Sequence, residues 1–234
     1  YPLVVYVYPG PQEDQVPQAF SMDDNGNQAL AQLGLIVIHI GYRGGSMFRG
    51  KNFYNFGYGN LRDYPLADCK FAIEQLADRY AYIDRDRVGI YGHSGGGMMA
   101  AAAILTYPDF FKVAVAASGN YDNNIYTKWW GEMYHGVKMK VKKDADGIKK
   151  YIFESKIPTI MELAANLKGK LLLVTGDMDI NVHPANTFRL ANALIKADKL
   201  FDMMVIPGAD HSIDSPYNLL RHYFAEHLLG GAIE

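Results

Sequence analysis

The chain has 234 residues, 49% hydrophobic and 21% charged, with a formal net charge of −2. This suits one sizeable α/β core and gives no basis for binding nucleic acid or an anionic membrane surface. No apolar run approaches the roughly 20 residues that span a bilayer, and the single cysteine, Cys69, excludes an intrachain disulfide while leaving the compartment open.

The sequence opens on Tyr1-Pro2-Leu3-Val4-Val5, a core strand from its first residues, without initiator Met or signal peptide. The expectation is a domain trimmed from a longer chain, any targeting signal lost with the missing part. In chain order, residues 3–8 read as a strand ended by the turn Pro9-Gly10-Pro11. Residues 28–33 read as a short helix closed by Gly34, and 35–40 as a continuously apolar strand of the kind covered on both faces. Residues 41–60, rich in Gly, Tyr, Phe and Asn, predict a long loop. Leu66, Cys69, Ile73 and Leu76 give 65–80 a helical period. A strand at 87–91, a small-residue helix at 95–105 and a strand at 111–117 follow.

Residues 122–157 form the irregular region, whose charged stretch from 138 to 150 predicts a solvated loop or hairpin. The remainder alternates: helix 159–167, strand 170–175, helix 184–197, strand 201–206 and helix 216–229. There are no internal repeats or linkers, so residues 1–234 read as one domain. Strand–helix alternation predicts a mainly parallel, doubly wound sheet with helices on both faces, its active site at the carboxyl ends of the strands.

One strand, Arg87-Val88-Gly89-Ile90-Tyr91, runs straight into Gly92-His93-Ser94-Gly95-Gly96-Gly97 and then a helix of Met and Ala. This is the nucleophile elbow of an α/β-hydrolase fold, with Ser94 as nucleophile on a strained turn. A phosphate-binding loop is the poorer reading, because no Lys-Ser or Lys-Thr follows the glycines. An elbow calls for an acid and then a histidine, each in a loop after a later strand. Of seven histidines, His39 lies in a strand, His93 in the elbow, His135 in the irregular region, His183 at a helix start, and His222 and His227 on the last helix. Only His211 follows a late strand and precedes the final helix. Asp177 and Asp179 both follow the fifth strand, and strand position does not separate them. Asp210, adjacent to the histidine, reads as a loop-stabilising residue.

These residues resemble the catalytic domain of the prolyl oligopeptidase family of serine peptidases, nearest its dipeptidyl-peptidase IV branch. The resemblance rests on Tyr-Pro-Gly-Pro at 8–11, Arg-Gly-Gly at 43–45, Gly-His-Ser-Gly-Gly-Gly at 92–97, Ile-Tyr-Thr at 125–127, Asp-Ile-Asn-Val-His at 179–183 and Asp-His-Ser at 210–212. It implies Asp179 as the catalytic acid and His211 as the base. It implies Tyr8 and the Gly95 N–H as oxyanion donors, and Asn181 as a contact to the substrate's backbone carbonyl. Val182, Tyr121, Tyr126 and Trp129 fall where the family builds its apolar S1 pocket. Gly95 departs from relatives with a larger residue there, which weakens strict proline preference, and the family's N-terminal β-propeller is absent.

The resemblance implies acyl transfer to a peptide substrate, without metal or organic cofactor. By analogy it also implies a location outside the cytoplasm, periplasmic or secreted, and a homodimeric full-length protein. The rival readings are a carboxylesterase on the same fold and a non-catalytic scaffold that kept it.

Overall fold

The structure, a computed structural model, describes residues 1–8, 11, 13–20, 26–213 and 217–231. In chain order its elements begin β1 (Pro2–Tyr6), α1 (Asn27–Ala31), β2 (Ile36–His39), α2 (Lys51–Tyr54), α3 (Leu66–Arg79), β3 (Asp84–His93), α4 (Gly95–Thr106) and β4 (Phe111–Ala117). They continue with α5 (Lys128–Tyr134), β5 (Lys138–Lys143), β6 (Lys149–Glu154), β7 (Lys170–Gly176), α6 (Ala185–Lys196), β8 (Asp202–Ile206) and α7 (Tyr217–Phe224). Six strands form one sheet in the order β2-β1-β3-β4-β7-β8, every pairing parallel. This is the α/β-hydrolase fold that the strand–helix alternation predicts. Pro9 and Gly10 of the expected turn, and Pro216 of the expected last helix, lie outside the described residues.

The strand sequences explain the sheet's two covered faces. Successive β-strand side chains point to opposite faces. Leu3, Val5 and Val7 pack with Leu66, Cys69 and Ile73 of α3, the alanines of α4, and Leu190 and Leu194 of α6. Val4 and Tyr6 face the other way, onto Leu30 of α1 and Phe224 and Leu228 at the C-terminal end. An unbroken apolar strand is what such double burial requires. Cys69 is 1% exposed, and burial pushes its thiol up to about 12, so it serves as a packing residue.

Three segments differ from expectation. Residues 41–60 hold α2 and two 3-10 turns, Met47–Arg49 and Asn55–Gly57, where a loop is predicted. The helix expected at 159–167 is a 3-10 helix, Ile160–Asn166, opened by a capping box between Thr159 and Glu162. The irregular region contains α5 and an exposed antiparallel hairpin of β5 and β6, with an ion pair of 2.6 Å between Lys140 and Glu154. The charge run is thus a hairpin, one of the two forms expected. The final helix relaxes into a π-helical stretch, Ala225–Leu229, ended by Gly230 at φ 76°. No described helix is long and apolar enough to cross a membrane.

The sheet's topology fixes where a site forms. From β1 the chain first winds outward to β2 and then returns to the other side as β3. The crevice outside the carboxyl ends of β1 and β3 is therefore the switch point, where ligands bind in open α/β sheets. Tyr8 lies just past one of these strands and Ser94 just past the other.

One polar network braces the loop after β4. Asp122, 1% exposed, pairs with Arg189 of α6 at 2.9 Å and accepts from Asn124 at 2.7 Å, while its N–H donates to Asn186 at 3.0 Å. A buried carboxylate needs such partners. The network anchors the segment bearing Tyr126 to the helix that follows Asp179.

Candidate active site

Ser94 stands between the last residue of β3 and the first of α4, at φ 57° and ψ −122°. A non-glycine residue at positive φ is strained, and such strain collects at functional sites. Its N–H donates to the Ala117 carbonyl at 2.8 Å and its carbonyl accepts from Met98 at 3.0 Å, which holds the turn. The flanking glycines have a steric cause. A Cβ at Gly92 would lie 2.4 Å from the Val7 carbonyl oxygen, and one at Gly96 would lie 2.1 Å from the same atom. Only glycine lets the end of β1, the turn and the helix meet there.

His211 sits in the loop after β8 and bridges two side chains. Its Nε2 lies 3.0 Å from Ser94 Oγ and its Nδ1 lies 2.8 Å from Asp179 Oδ2. A carboxylate can only accept, so Nδ1 carries the proton and Nε2 is left to accept from the Ser94 hydroxyl. Asp179 is 1% exposed, and its other oxygen accepts from the N–H groups of Asn181 at 2.9 Å and Val182 at 2.8 Å. Both oxygens of this carboxylate are therefore committed.

The competing acid is engaged elsewhere. Asp177 accepts from the Gly208 N–H at 2.6 Å, clasping the loop that carries Asp179 to the loop that carries His211. Asp210 accepts from the Ser212 N–H at 2.8 Å, as a turn residue does.

Ser94 and His211 line a cavity of about 700 Å³ together with Tyr6, Tyr8, Tyr126 and Asn181. Tyr8 shares this cavity with Ser94, and burial, then Glu13 and Tyr126, raise its pKa, so its hydroxyl stays protonated. The Tyr42 hydroxyl donates to the Tyr8 carbonyl and fixes the backbone. Tyr126 donates to Asn181 Oδ1 at 3.1 Å.

Two expected pocket residues are not brought to the site. Tyr121 is 1% exposed in the hydrophobic core, where its hydroxyl donates to the Ala116 carbonyl at 3.0 Å. Trp129 is 60% exposed, because the first turn of α5 directs its neighbour inward instead. Trp130 meets the Tyr126 ring edge-on at 5.5 Å, and Tyr134 continues the ladder at 5.4 Å. The four-residue spacing 126, 130, 134 was the available signal. Val182 is 2% exposed and contributes its N–H to Asp179. Gly95 opens α4, whose first-turn N–H groups have no intrahelical acceptor. No cluster of three or more metal-ligating side chains occurs among the described residues.

The model of the prolyl oligopeptidase family matches residues 20–228. Human dipeptidyl peptidase 8 is 32% identical over 235 residues, covering 97% of this chain and 25% of that protein. Mouse prolyl endopeptidase FAP is 29% identical over 216 residues, covering 92% of this chain and 27% of that protein. The chain thus spans about a quarter of the length of these relatives. Among solved structures, the dipeptidyl peptidase 4 of Porphyromonas gingivalis superposes with a TM-score of 0.82 at 28% identity, over 99% of this chain and 31% of that one.

Proposed function

The chain belongs to the prolyl oligopeptidase family, and we propose that it hydrolyses peptide bonds in short peptides by acyl transfer through Ser94, His211 and Asp179. The observation that carries this reading is the single His211 ring, hydrogen-bonded at one nitrogen to Ser94 and at the other to a buried carboxylate. Such a chain removes the serine proton as the oxygen attacks.

Ser94 Oγ adds to the scissile carbonyl carbon while its proton passes to His211 Nε2. Asp179 stabilises the imidazolium that results. The negative carbonyl oxygen accepts from the Tyr8 hydroxyl and the Gly95 N–H, at the positive end of α4. The C–N bond then breaks, and His211 gives its proton to the departing amine. Water repeats the sequence on the acyl-serine: its proton goes to His211, and Ser94 is restored as the acid product leaves.

Asn181 supports a peptide substrate in particular. Its Oδ1 is taken by Tyr126, so its amide N–H₂ is left to donate to a substrate carbonyl. Tyr126, backed edge-on by the Trp130 ring, offers an apolar wall for the residue before the scissile bond.

The test is turnover of Ala-Pro p-nitroanilide beside a p-nitrophenyl ester, with fluorophosphonate labelling of the same preparation. Release of nitroaniline by labelled protein is the expected result. Turnover of the ester alone would replace the peptidase by a carboxylesterase. Tyr8→Phe tests the oxyanion assignment. It keeps the ring and removes the donor, so kcat on the anilide is expected to fall about 10²–10³-fold, equivalent to roughly 2.7–4 kcal/mol, with KM little changed. A Tyr8→Phe enzyme within twofold of the parent would remove Tyr8 from the mechanism.

A further inference from the structure

His93 is a partly buried titratable side chain that the mechanism above does not use. It is the last residue of β3, in register with Ala117 of β4 and next to Ser94 in the chain. Its ring lies against the His211 ring, with centroids 4.8 Å apart and planes inclined at 55°, and both rings line the same cavity.

We propose that His93 is a positioning residue that holds the His211 imidazole in the plane shared by Ser94 and Asp179. The inference rests on the acyl-transfer reading of those three residues. Hydrogen bonds at Nδ1 and Nε2 fix two points of the His211 ring but leave it able to rock about the line joining them. A contact on the ring face removes that freedom. The base also rides on a loop, between Gly208 at φ 75° and Ile213 at φ 39°, rather than on a helix or strand. His93 sets this loop against the end of a central strand. A reacting group on a loop needs such support, because small misplacements are expensive in rate.

The charge state of His93 fits the role. Burial, then the neighbouring His211, bring its pKa down to about 4, with Asp179 pulling the other way. Near neutral pH the ring is uncharged. It adds no second positive charge beside the imidazolium that forms when His211 takes the serine proton. A lysine or arginine in its place would oppose that step.

The experiment compares His93→Ala, His93→Phe and His93→Gln in the full chain. Phe keeps the ring contact without the imidazole nitrogens; Gln keeps a polar side chain without the ring. Four readouts are taken: the second-order rate of fluorophosphonate labelling, kcat and KM on the anilide, the thermal midpoint, and the low-field proton NMR line of the His211 Nδ1–H. His93→Ala is expected to lower the labelling rate and kcat by about 10–100-fold, with KM within twofold and the low-field line broadened or lost. Phe should recover part of the rate, Gln should not, and both should keep the parent's thermal midpoint. If His93→Ala is too unstable to assay, the Phe and Gln variants decide by the same readouts. Parent-like labelling, kcat and low-field line in the folded variants would overturn the proposal and leave His93 as packing. Absence of labelling in the parent would instead overturn the acyl-transfer reading, and this inference with it.

Discussion

Ser94→Ala is expected to lower kcat on the anilide by about 10⁶-fold and to abolish fluorophosphonate labelling, with the thermal midpoint unchanged. The substitution isolates one oxygen. Ser94 is held at φ 57° by its own backbone bonds to Ala117 and Met98, and alanine carries the same Cβ into the same strained turn. The glycines that permit the turn are untouched, so the cavity and the helix beyond it keep their shape. The hydroxyl facing His211 is all that is lost. Residual catalysis of about 10³–10⁴ over the uncatalysed reaction would remain from oxyanion donors and substrate binding. Labelling that survives in Ser94→Ala would place the nucleophile elsewhere, and the elbow would be only a structural turn.

The strands were legible because doubly covered parallel strands must be apolar throughout, and residues 35–40 and 111–117 are written that way. Ser94 and His211 were legible for a different reason. The fold fixes the chain order of elbow and base, so position after a strand selects them. The choice between Asp177 and Asp179 was not available at that level. Both follow β7 within three residues, and what separates them is tertiary: one carboxylate meets the Gly208 N–H, the other meets two N–H groups and an imidazole. The same limit explains Tyr121 and Trp129. Their aromatic character was plain, but their direction is tertiary: Tyr121 turns into the core beside the network around Asp122, and Trp129 lies on the outward side of α5. Residues 41–60 lacked a helical period because their helical pieces are single turns, too short to show one.

Asp179→Asn is the sharper test of how the base is prepared, because it removes charge while changing almost no volume. One oxygen of Asp179 accepts two backbone N–H bonds, so the asparagine must turn its carbonyl oxygen toward Asn181 and Val182. The opposite orientation would point an N–H₂ group at two donors. The amide N–H₂ is therefore left facing His211 Nδ1, where the carboxylate stood at 2.8 Å. That nitrogen must then become an acceptor, and the ring proton moves to Nε2. An imidazole protonated at Nε2 cannot take the Ser94 proton at 3.0 Å. Wrong tautomer and lost charge together are expected to lower kcat by about 10⁴-fold near neutral pH, with KM little changed and the low-field His211 proton line gone. Asp177→Asn supplies the contrast. Its amide oxygen can still accept from Gly208, so that variant should stay within about tenfold of the parent, given that only a neutral hydrogen bond replaces a charged one. An Asp179→Asn enzyme as active as Asp177→Asn would mean that the buried carboxylate holds its loop and does not prepare the base.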